Sequence, residues 1–263
     1  MDNSQEFKKN VLKDIKSIEQ LVSSHLVAEV IVNIRENLEE RNRKVVKFVL
    51  PNLDIPMIEG SEKARKLYKR AGNILKSKAQ LIYMLKIGIE DLFNYDFGED
   101  PSVVTAGAND IMHLNQMFGP RFADLRKISL LEHTLNVLEE GIEKAEHSGR
   151  ASGMVIGVLG CLFHDFGKST KIREKLLGSG MQRGYKLHAE VSEMYVQDLL
   201  LNKIYNILVE DIVAIDLIDS LAKVVKNHHP SSAKMKEDLE INFVIVADQE
   251  ARKKEYRQIQ RKK

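Results

Sequence analysis

The chain has 263 residues, 43% hydrophobic and 30% charged, which allows one large domain or a domain with a sizeable extension around a full core. Forty basic against 38 acidic residues leave a net charge of +2, so bulk charge does not announce a nucleic-acid partner. A single cysteine, Cys161, excludes a disulfide framework and a thiolate zinc cluster; with a polar start and no apolar run near the ~20 residues of a membrane span, a soluble cytoplasmic protein is expected.

Nearly every segment reads as helix. From Phe7 onward Val11, Ile15, Ile18, Val22, Leu26 and Val30 recur at three- and four-residue spacing. Pro51 and Pro56 break the pattern, and Gly60 and Ser61 open a second helix whose buried side is marked by Ala71, Ile74, Ile82, Leu85, Ile89 and Leu92. Residues 95–121 turn irregular, with Gly98, Pro101, Gly107, Gly119 and Pro120, and a boundary is placed there. Beyond it Leu131, Leu135, Leu138 and Ile142 make one stripe, with Leu130, His133 and Val137 on the same inward arc. Residues 151–163 are apolar on all sides, which predicts a central buried helix with His164 and Asp165 near its end, and Gly157 and Gly160 let neighbours approach. His188, Val191, Tyr195 and Leu199 form the next stripe; Leu217, Leu221, Val224 and His228 another, stopped by Pro230. Ile241, Val244, Asp248 and Ala251 line the last helix.

Read in order, His133, His164, Asp165, His188, His228, His229 and Asp248 place imidazoles and carboxylates on apolar faces. An uncompensated charge there is costly. Imidazole with carboxylate suits Zn, Fe, Mn or Co, and one carboxylate shared by two cations makes a binuclear centre that activates water. A lone histidine on such a face is more often a hydrogen-bonded core residue. That reading is kept for His25, His113 and His147.

The run Leu131, Glu132, His133, Thr134, Leu135 and the run from Leu162 through His164, Asp165, Phe166 and Gly167 to Lys168 resemble the HD-domain superfamily of metal-dependent phosphohydrolases. The likeness extends over residues 130–252. It implies an all-α helical bundle in which residues 126–263 are the metal-binding catalytic domain; residues 1–125, helical by their own apolar spacing and outside the likeness, form an N-terminal extension without an assigned role. It also implies two divalent ions (Fe, Mn, Zn, Co or Ni). His133, His164, Asp165 and Asp248 would hold the first, with Asp165 bridging to a second completed by His188 and His228. His229 stays open beside His228, since Ile218, Ala222 and Val225 lead to it. HD-GYP-type phosphodiesterases carry the same double histidine followed by Glu and a Gly-Tyr-Pro segment. Here Pro230, Ser231 and Ser232 follow, and Ser129 stands where some relatives place a Glu for a third metal.

The resemblance further implies a phosphomonoesterase or phosphodiesterase acting on nucleotides or small phosphate esters through a metal-bound hydroxide. Lys168 would face the substrate phosphate. Arg183 and Lys186, in a glycine-rich basic stretch with Lys171 and Arg173, would add positive charge, and Arg252 either clamps a phosphate or pairs with a neighbouring acid. Two alternatives stand beside this. One is a mixed-valent di-iron oxygenase, which uses the same ligand order. The other is a non-catalytic, metal-stabilised module that meets nucleic acid through its basic C-terminal stretch, in line with a looser resemblance to HD domains of relaxase-type proteins. That stretch is read first as a solvated helix.

Overall fold

Seven stretches of the chain are described by the computed structural model: residues 50–76, 79–103, 124–148, 154–178, 187–205, 212–229 and 238–261. The helix expected from Phe7, together with His25, His113, Arg183, Lys186 and Pro230, lies outside the described residues. The first helix, α1 (Ser61–Leu75), begins at the predicted Gly60 and Ser61. The apolar pattern there reads as one helix on to Leu92, but the structure divides it: α1 ends at Leu75 with Lys76 as its C-cap, and α2 (Ala79–Asn94) packs against it. In the sequence Lys76, Ser77 and Lys78 are three successive polar residues between the two apolar runs.

α3 (Leu130–His147) starts on Ser129, whose hydroxyl accepts the Glu132 N–H at 3.1 Å, so that serine is an N-cap. α4 (Val155–Phe163) is buried from Ile156 to its end and packs against α1, α2 and α3. Each fully buried Leu or Phe contributes about 1.5–3 kcal/mol relative to exposure. The helix that presents the histidine-aspartate pair is therefore also a main source of the driving force. A 3-10 turn (Phe166–Lys168) leads from it into α5 (Thr170–Leu177), whose N-cap Ser169 accepts from Ile172 N–H. α6 (His188–Met194) widens into a π-helical stretch (Tyr195–Leu200) and continues as α7 (Leu201–Tyr205). The wider turn takes up one extra residue. The buried position accordingly moves from the expected Leu199, which is only part-buried, to Leu200.

The last elements are α8 (Ile212–Lys226) and α9 (Leu239–Arg261), and both pack against α4. The approach is close, as the glycines suggested: a Cβ on Gly160 would come within 2.7 Å of both Val224 and Val244. Residues 50–263 form one compact unit, and the helices on either side of residue 125 bury their apolar faces in one core. Among the described residues there is no β-strand, only a single bridge between Pro101 and Ser129. The fold is all-α. No described helix is long and apolar enough to cross a membrane.

Candidate metal centre

The candidate ligand series converges at the C-terminal end of α4. His164 caps that helix and Asp165 follows it, both buried. His133 comes in from the first turn of α3 and Asp248 from α9. His188 is the first residue of α6, and His228 and His229 follow the end of α8. Two groups could each hold a metal ion, the candidate ligand atoms within each lying within 4.8 Å of one another: His133, His164 and Asp248 in one, His188, His228 and His229 in the other. Asp165 stands between them with its oxygens divided. Oδ2 is 3.5 Å from His133 Nε2 and 3.3 Å from His164 Nε2, while Oδ1 is 3.4 Å from His188 Nε2 and 3.8 Å from His228 Nε2. His133 Nε2 also lies 3.2 Å from Asp248 Oδ1, and the Nε2 atoms of His229 and His188 face each other at 2.6 Å.

The outward-facing nitrogens are already answered. His164 Nδ1 lies 3.0 Å from the Cys161 carbonyl, His228 Nδ1 2.6 Å from the Val225 carbonyl, and His133 Nδ1 3.0 Å from Glu255 Oε1. A proton on each Nδ1 leaves Nε2 with its lone pair toward the centre, the form in which imidazole binds a metal. The inner atoms are the reverse case. His133 Nε2, His164 Nε2, His228 Nε2, Asp165 Oδ1 and Asp248 Oδ1 are all shielded from solvent and make no hydrogen bond. Buried polar atoms are seldom left so. Their mutual distances are short but misaligned for hydrogen bonding, and a cation in each group would give these atoms the partners they lack. The donor set therefore fits divalent ions of the borderline kind.

The family model described as HD domain matches residues 130–253. These residues belong to the HD-domain family. Comparison of the chain with curated proteins and with solved structures finds no match. An HD domain places the segment in a superfamily of metal-dependent phosphohydrolases.

Electrostatics within the HD domain point the same way. Burial raises Asp165 and Asp248, but for Asp165 the His164 and Lys168 charges, and for Asp248 the close approach and charge of His133, outweigh it and hold both well below the usual carboxylate range. Burial, followed by the neighbouring His164, pushes His228 down to about 3, and burial with His228 beside it lowers His229 further. Both are neutral near pH 7 and available as ligands. His133 differs. Burial and Arg252 push it down, yet Glu255, Asp165 and Asp248 prevail and raise it to about 9. The carboxylates around it attract positive charge, whether a proton or a metal ion.

Lys168 lies inside the site rather than at a surface helix end. Its Nζ donates to Asp165 Oδ2 at 2.8 Å and to the Ser102 carbonyl at 3.3 Å. Arg252 is buried and donates to Glu255, to Ser102 Oγ and to the Ser102 carbonyl. Arg173 donates to the Gly167 carbonyl and Lys171 pairs with Asp96. In the basic C-terminal stretch Lys253 pairs with Glu250, and Lys254 with Glu140. His147 is hydrogen-bonded, to the Glu143 carbonyl, but on an exposed helix end rather than in a core.

Gly167 explains the glycine of the histidine-aspartate run. A Cβ there would fall 2.0 Å from the His188 carbonyl oxygen, so only glycine lets α6 bring its first residue to Asp165. Ser192 fastens the same junction, accepting from Gly167 N–H and donating to the His164 carbonyl, both at 2.8 Å. Glu255, Ser102 and Ser192 were not among the expected site residues. Glu255 had a signal: it continues the inward stripe of α9 one turn beyond Ala251. Ser102 had none, because only the fold brings residues 100–103 to Lys168 and Arg252.

Proposed function

We propose that the HD domain is a phosphohydrolase centred on two divalent cations, acting on nucleotides or other small phosphate esters as a phosphomonoesterase or phosphodiesterase. The observation that supports this most is the set of five buried ligand atoms without hydrogen-bond partners, arranged around a carboxylate whose two oxygens face different groups. His133, His164 and Asp248 would hold one cation, His188 with His228 or His229 the other, and Asp165 would serve both. Bound there, such cations supply Lewis acidity and a water activated for attack on phosphorus. The chain's own residues do the rest. Asp165 and Asp248 stay ionised, His228 and His229 stay neutral, and the outer hydrogen bonds fix which nitrogen faces inward. Lys168, an ammonium beside Asp165, is placed to offset charge on a phosphoryl oxygen.

The test uses the purified full chain: metal analysis, then hydrolysis of p-nitrophenyl phosphate and bis-p-nitrophenyl phosphate with added Mn or Fe under anaerobic conditions. Metal-dependent hydrolysis without oxygen supports the reading. Protein that retains no divalent ion, or turnover that needs oxygen, overturns it and, in the second case, selects the di-iron oxygenase.

A further inference from the structure

We propose that Glu255 is the positioning residue for His133 and sets the cation affinity of the first ligand group. The inference rests on the two-cation reading above but concerns a residue beyond the matched segment, which ends at residue 253. Glu255 is fully buried in α9, two turns after Asp248, so one helix presents a candidate ligand and, on the same face, the partner of another. Three donors meet its carboxylate. Oε1 lies 3.0 Å from His133 Nδ1 and takes Asn136 Nδ2 at 2.8 Å; Oε2 takes Arg252 NH1 at 3.2 Å. Asn136 is in turn held through its own oxygen by Lys63 of α1 at 2.7 Å.

That arrangement suits a positioner and not a ligand. Glu255 binds the ring nitrogen opposite the one aimed at the centre, and both its oxygens are engaged by donors. Its effect on His133 differs from that of the carbonyls behind His164 and His228. A full negative charge at Nδ1–H fixes the tautomer and also makes Nε2 a stronger base, and outer carboxylates of this kind are typically worth 10–100-fold in metal affinity. Arg252 and Asn136 keep the carboxylate from swinging inward to become a ligand itself.

The experiment measures Zn²⁺ affinity by chelator competition for the full chain, Glu255→Ala and Glu255→Gln. It adds ¹⁵N NMR of the histidine rings in the zinc-loaded proteins. A wild-type chain that binds no Zn²⁺ overturns the metal reading itself. With two ions in the wild type, Glu255→Ala is expected to hold one of them about 10–100-fold more weakly and the other unchanged. The Nδ1–H signal of His133 should be lost while those of His164 and His228 persist. Gln keeps an oxygen for Nδ1–H but removes the charge and sets an NH₂ against Arg252, so Glu255→Gln should fall between. Wild-type affinity in both variants, or equal weakening of both ions, overturns the role of Glu255 while leaving the metal centre standing. If Glu255→Ala does not fold, Glu255→Gln decides: wild-type affinity there reduces Glu255 to a packing residue.

Discussion

His133 and His164 are fully buried within or at the end of packed helices, whereas His188 and His229 are part-exposed and stand at helix ends. The first group draws on α3, α4 and α9, which pack closely on one another, and His133 has a carboxylate behind it. The second group is reached through α6 and α8. There His228 has only a backbone carbonyl behind it, and the placement of His188 depends on the contact at Gly167. The core therefore fixes the first group, and a junction between two short pieces of backbone fixes the second. The first should be the tighter and less adjustable of the two.

Asp165 belongs to both groups, so its loss should erase the difference between them. Asp165→Ala is expected to lose both cations and the stability linked to them, about 3–4 kcal/mol for each ion bound far above its Kd. Metal analysis with thermal melting checks this, and unchanged metal content would remove the central claim. Replacing single histidines should restore the contrast: His133→Ala weakens the first ion, His188→Ala the second, with about one ion left per chain in each case. If His228→Ala is silent and His229→Ala is not, His229 is the ligand of that pair.

Lys168 tests whether the centre reacts as well as binds. Lys168→Ala should keep both ions yet lose about 2–4 kcal/mol of transition-state stabilisation, read as kcat/KM on a phosphate ester. Lys168→Arg should rescue poorly, because a broad planar fork does not replace a point charge fitted between Asp165 and the Ser102 carbonyl. Near-normal turnover by Lys168→Ala would make this lysine a structural ion pair only.

Gly167→Ala addresses the second group alone. Its Cβ would meet the His188 carbonyl and the Ser192 nitrogen, both backbone atoms that cannot swing aside. Overpacking of this kind costs about 1–3 kcal/mol, and α6 should shift. The second ion is expected to weaken more than the first in chelator competition. Equal weakening would show that the two groups move as one.

The same contrast governs what could be read from the sequence. The first group was legible because His133 and Asp248 sit inside long apolar stripes whose helical spacing fixes which way a residue faces. The pair at His228 and His229 was not, because both follow the last helical residue, where periodicity no longer assigns a face. The structure keeps the ambiguity, placing both rings near His188. Glu255 continues an inward stripe but stands in a basic, polar stretch where a glutamate reads as surface; it is buried because His133, Asn136 and Arg252 supply it with three donors. The break between α1 and α2 and the π-helical turn after Met194 leave no mark in the sequence for a related reason. Apolar spacing continues across a polar gap or an inserted residue without recording either.

Acid and base should act on different residues once the ions are removed with a chelator. His133, raised to about 9, contributes stability that is fully present below pH 6.5 and lost as pH climbs toward 9. His228, lowered to about 3, is held neutral, so stability falls as pH drops below 6.5 toward 3. Glu255, lowered to about 2 because His133 and Arg252 outweigh its burial, adds to that loss below about pH 4.5. The stripped protein should melt highest near neutrality and lose on the order of 1–3 kcal/mol on either side. A flat melting profile from pH 6 to 9 would contradict the charge placed on His133.

The smallest effect is expected where the two groups are tied together. Ser192 Oγ accepts from Gly167 N–H and donates to the His164 carbonyl, all within the core. Ser192→Ala removes a small oxygen without creating a clash, but leaves a buried N–H unanswered at a cost of about 1–3 kcal/mol. Gly167 and α6 lose a tether, whereas His164 keeps its place through α4 and through Nδ1 on the Cys161 carbonyl. The variant should therefore melt a few degrees lower and release the second ion a few-fold more readily, with the first unchanged. A release rate that rises equally for both ions would mean that His164, and with it the first group, depends on the junction as much as His188 does, and the distinction between a core-held and a junction-held group would fail.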